Sequence, residues 1–65
     1  MMNLKENDEV HVEAFNDLPS SVMVVSEVLD GAITGYVTFE GDSYAEYGEL
    51  YEEDFHHITE VVQKG

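Results

Sequence analysis

The side chains able to do chemistry in this chain are carboxylates, tyrosines and one histidine pair. Asp and Glu fill fifteen of the 65 positions, against Lys5 and Lys64 as the only basic residues besides histidine and no arginine at all. His56 and His57 follow directly on the acid run Glu52-Glu53-Asp54. In a strand, adjacent histidines point to opposite faces and cannot grip one ion. The acid run lacks the D-x-D-x-D-G spacing of a calcium loop, so no metal or other cofactor is expected. A carboxylate pair with a raised pKa can serve as general acid and base. However, the chain has no cysteine, no phosphate-cradling glycine loop and no G-x-S-x-G elbow, and a domain this small rarely encloses a water-excluding pocket. The expectation is a protein that is not an enzyme.

The tyrosines are more informative. Tyr36, Tyr44, Tyr47 and Tyr51 stand among the acids Asp42, Glu46, Glu49, Glu52 and Glu53, at positions the core does not need, because Val37, Phe39, Leu50 and Phe55 already supply apolar side chains there. A tyrosine face attracts a cation, and carboxylates at its rim strengthen the attraction. These tyrosines and acids form the candidate binding set, and its guest is a basic segment. The competing explanation is structural, with the rings merely covering a small, incomplete core.

Those residues need elements to position them. In Glu9–Glu13 the sequence EVHVE alternates strictly, placing Val10 and Val12 on one face and Glu9, His11 and Glu13 on the other. AFNDLPSS breaks the pattern and reads as a loop, with Phe15 and Leu18 tucked inward and the chain resuming after Pro19. VMVVSEVL, residues 22 to 29, opens apolar and then changes phase, which suits a strand buried on both faces or bent by a bulge. Asp30-Gly31 is a strong hairpin signal. It leads into ITGYVTFE, residues 33 to 40, with Ile33, Gly35, Val37 and Phe39 inward and Thr34, Tyr36, Thr38 and Glu40 outward. Gly35 there implies a bend or the close approach of another backbone. A short edge strand is expected around Tyr44 to Tyr47. The acids after Leu50 form one 3₁₀ turn closed by Phe55, and HHITEVV is the last strand, with Ile58 inward. Five short strands without helical periodicity predict an all-β, strongly bent small barrel.

The alternating valines of residues 8 to 12, the M-x-V step from Met23 to Val25 with Val28 after it, the V-x-F-E-G of Val37 to Gly41, and the acids between Leu50 and Phe55 occur in an order that resembles the small bacterial SH3-like barrels of the YodC type. The resemblance spans about residues 8 to 60 and implies a five-stranded SH3-like barrel with a short 3₁₀ turn before the last strand. FNDLPSS stands where that group carries a glycine-rich, often basic segment, so the resemblance implies a fold and a non-catalytic role but no particular ligand. Exposed aromatic surfaces of SH3-like barrels commonly take proline-rich or methylated basic peptides.

The formal charge of −13 excludes ordinary binding to nucleic acid or to an anionic membrane, since both require basic side chains. It points to a protein partner that is basic or binds through apolar contacts, with a proline-rich one implied by the resemblance alone, and to a monomer, because like-charged copies repel. The alternative function is nucleic-acid mimicry, in which the acidic barrel occupies the basic groove of a DNA- or RNA-binding protein. Residues 1 to 7 are expected to fray, 8 to 62 to form the barrel and 63 to 65 a tail. With neither a signal-peptide pattern nor a long apolar run, the expected setting is cytoplasmic.

Overall fold

A computed structural model describes residues 3 to 64, so Met1, Met2 and Gly65 lie outside the described residues. Strands β1 (Glu9–Val12), β2 (Ser21–Leu29), β3 (Ala32–Phe39), β4 (Glu46–Tyr51) and β5 (Ile58–Val62) form one antiparallel sheet in the order β4-β3-β2-β1-β5, with a 3₁₀ turn over Glu52–His57. This is the five-stranded, all-β fold with a short 3₁₀ turn before the last strand that the sequence predicts. It is not fully closed, because β4 and β5 are the two edges of the sheet and are joined through the 3₁₀ turn rather than by a ladder.

Alternation builds the core. Val10, Val12, Met23, Val25, Ile33 and Leu50 are buried together, with Leu4, Phe15, Val37, Phe55 and Ile58 packed around them. Two irregularities bend the sheet over this core. One lies in β2 between Val25 and Glu27, where Ser26 is the extra residue. The other lies between β1 and β5, where Thr59 is extra and its hydroxyl donates to the His11 carbonyl at 3.3 Å. An unpaired residue on one strand raises local twist and curvature. Gly35 faces Val25 across the ladder, and a Cβ at that position would fall on the Val24 carbonyl, so the close backbone approach expected of it is present.

Several expectations need correction. The acid-rich edge strand runs from Glu46 to Tyr51 rather than from Tyr44 to Tyr47. β2 is not buried on both faces: Met23 and Val25 point in, Val24 points out, and the bulge accounts for the phase change. Thr34 lies on the outer face, as expected, but is buried there beneath a tyrosine. Leu18 stays exposed while Phe15 packs inward. His56 and His57 belong to the 3₁₀ turn and not to the last strand. Their rings lie 4.0 Å apart, and His57 stacks on Phe15 at 4.2 Å while its Nδ1 meets Glu13 Oε2 at 2.8 Å.

The hairpin expected at Asp30-Gly31 is present, and a second tight turn stands in the loop after β1. Asn16 and Asp17 both adopt positive φ, 51° and 64°, and close a two-residue turn through the Leu18 N–H donating to the Phe15 carbonyl at 2.9 Å. That is type I′ geometry. At Asp30-Gly31, which does join β2 to β3, only the glycine has positive φ, at 84°.

The N-terminal segment, expected to fray, is tied down from Leu4 onward. Leu4 lies against the core, and the Asn7 N–H donates to the Val25 carbonyl at 2.8 Å. Asp8 is fully buried. Its carboxylate accepts the backbone N–H of Lys5 at 3.0 Å and of Lys64 at 3.2 Å, fastening both ends of the chain at one point. A buried carboxylate is tolerated where donors surround it.

Candidate functional site

Cross-strand register decides which candidate residues share a surface. Leu50 on β4 and Ile33 on β3 are paired and point inward, so the alternate positions Tyr47, Glu49 and Tyr51 of β4 and Thr34 and Tyr36 of β3 share the outer face. Tyr36 pairs directly with Tyr47. Their rings meet edge to face, with centroids 5.2 Å apart and an interplanar angle of 77°, the geometry that aromatic quadrupoles favour. Across the next ladder Tyr36 pairs with Val24, so one exposed row runs Tyr47-Tyr36-Val24. Their relative exposures of 53%, 55% and 45% mean that each presents about half of its surface to solvent.

The row is anchored from below and bordered by acids. The Tyr47 hydroxyl and Thr34 Oγ1 are hydrogen-bonded at 2.8 Å. On that side the register places Glu27, Thr34 and Glu49 abreast, and Glu9 stands next to Val24 at the far end. Glu9 Oε1 is held 3.0 Å from His11 Nε2. Tyr51 donates its hydroxyl to Glu49 Oε1 at 2.9 Å, and this bond, together with the nearby carboxylate charge, pushes the phenol above its ordinary 10.0.

Of the candidate residues, the structure therefore brings Tyr36, Tyr47, Glu49 and Tyr51 onto one face. Tyr44 and Asp42 are exposed in the segment before β4, Asp42 just beyond a tight turn in which its N–H donates to the Phe39 carbonyl at 3.0 Å and Gly41 takes a φ of 95°. Glu52 and Glu53 lie on the 3₁₀ turn past the end of β4. Glu46 has inward parity, opposite Val37, and borders a cleft instead. That cleft, about 160 Å³, lies between β4 and the turn after β1 and is lined by Phe15, Leu18, Pro19, Phe39 and Leu50 among others.

Val24 and the cleft were not singled out from the sequence. Val24 was legible, since Met23 and Val25 must point inward together and the residue between them then points out. The cleft was not, because its walls come from segments far apart in the chain. Among the described residues no three of His, Cys, Asp and Glu gather into a metal site, and no helix is long and apolar enough to cross a membrane. Comparison with protein-family models, with curated proteins and with solved structures finds no match to this chain.

Proposed function

We propose that the protein is a non-catalytic, cytoplasmic binding module that docks a basic or proline-rich segment of another protein on its acid-bordered tyrosine face. The observation that carries this reading is the Tyr47-Tyr36-Val24 row: paired rings, each more than half exposed, beside Val24 on the outer face of the sheet. Single exposed aromatics are ordinary. A contiguous row of two rings and a valine bordered by Glu9, Glu27 and Glu49 offers a cation both a ring face and a counter-charge, and offers a proline an apolar platform. The resemblance to the YodC-type barrels supports the same non-catalytic reading.

The competing reading, a nucleic-acid mimic, is favoured by the charge of −13. It requires phosphate-like spacing of acids over an extended surface, whereas Glu9, Glu27 and Glu49 border the tyrosine row.

The test is affinity capture from a lysate of the native host with and without nuclease, eluted on a salt gradient, using the wild type beside Tyr36→Ala and Tyr44→Ala. The module predicts one partner that survives into high salt and is weakened about tenfold or more when Tyr36 is removed, with the circular-dichroism spectrum unchanged. Basic nucleic-acid-binding proteins that leave at moderate salt, are displaced by DNA and ignore the tyrosine change would establish the mimic instead.

A further inference from the structure

We propose that the open edge of β4 receives an extended segment of the partner as an added strand, apolar residues alternating with Lys or Arg. This deepens the binding-module reading and rests on it. β4 is hydrogen-bonded to β3 on one side and is the edge of the sheet on the other, so alternate N–H and C=O groups along Glu46–Tyr51 face outward, available for pairing. Directly beside them is the cleft walled by Phe15, Leu18, Met23, Phe39 and Leu50. Its volume of about 160 Å³ is close to that of a cavity of about 150 Å³ that accommodates benzene, and so matches one large apolar side chain.

The period of a strand then dictates the alternation. Along β4, Gly48 and Leu50 face the cleft side while Tyr47, Glu49 and Tyr51 face out, and a neighbouring strand must alternate in the same way. A side chain entering the cleft is therefore followed by one beside Tyr47 and Glu49, where the ring and the carboxylate select a cation.

Charge settles the choice of occupant. Glu46 and Glu49 flank the cleft, and between Lys5 and Lys64 there is no Lys or Arg. Exposed sheet edges are commonly guarded by charge, lysine above all. This edge, EYGELY, is guarded by acids alone. Such a guard repels a second copy, which carries the same −13, and admits a basic strand.

The experiment uses the full chain and a short capped peptide alternating Lys with Val, its central Val replaced by Phe. Two twins carry backbone N-methyl groups on either the Lys or the apolar residues, with charge and side chains unchanged. Affinities are measured by calorimetry at physiological salt, and backbone amides are followed by NMR hydrogen exchange. The expected result is protection of β4 amides on binding, about tenfold loss of affinity for one twin but not the other, and about tenfold loss with Leu18→Ser, which alters only an exposed cleft residue. Binding that falls with Tyr36→Ala yet ignores N-methylation and Leu18→Ser overturns the added strand and leaves the tyrosine face standing. Absent binding, or binding that ignores Tyr36 and Leu18 alike and follows salt alone, overturns both.

Discussion

Tyr47 serves surface and fold at once. Its ring lies in the exposed row, while its hydroxyl is bonded to Thr34 Oγ1 at 2.8 Å over a residue only 5% exposed. Tyr47→Phe keeps the ring and strips Thr34 of that partner, so urea unfolding should show a loss of about 1 kcal/mol with peptide binding retained. Unchanged stability would mean that the Thr34 hydroxyl finds another hydrogen-bond partner. Tyr51 offers a pH readout. Its bond to Glu49 raises its pKa, so the phenol keeps its proton past pH 10.0 and ionises only as pH rises through the higher value. Replacing Glu49 with Gln should bring the ultraviolet titration of Tyr51 back down towards the ordinary value. The tyrosines and acids were readable as a set from residue type. Which of them share a face was not, because that depends on where β4 begins, and Tyr44 falls before it.

At the scale of elements, the two turns show how residue type and geometry part company. Asp-Gly is the stronger hairpin signal and does join β2 to β3, yet the turn with both residues at positive φ is Asn16-Asp17. Left-handed backbone costs a non-glycine residue roughly 1 kcal/mol. Asp17→Gly should therefore raise stability by about 0.5–1 kcal/mol, visible as a higher urea midpoint; a lower midpoint would mean that the Asp17 side chain holds the turn. The strands themselves were legible where alternation was strict, as in β1 and β3. Thr34 keeps its outward parity yet is buried, because Tyr47 on the neighbouring strand covers it. The 3₁₀ turn was expected as one turn of acids, but it extends to His57, where the contacts that hold it are the Phe15 ring and Glu13, partners far away in sequence.

For the whole molecule, charge dominates. Fifteen carboxylates sit on a body of 27 × 21 × 18 Å, so many lie within one Debye length, about 8 Å at physiological salt, of another. Self-repulsion weakens the compact state and salt relieves it. The thermal midpoint should rise steadily from low ionic strength to about 0.5 M sodium chloride, where the Debye length has fallen below about 5 Å. A midpoint that stays flat or falls would show that the acids are spaced widely enough not to repel. The same charge keeps copies apart at the β4 edge while leaving that edge attractive to a cationic strand.

The strand count, the presence of a 3₁₀ turn and the acidic, tyrosine-rich character of the second half were determined by the sequence itself, since period-two alternation, glycine placement and composition act over a few residues. Only the tertiary structure decided that Val24 extends the Tyr36–Tyr47 row, that Asp8 fastens the two ends of the chain, and that Phe15 and Leu18 wall a cleft against β4. These depend on register and bulges, and a shift of one residue in a ladder moves every side chain to the opposite face.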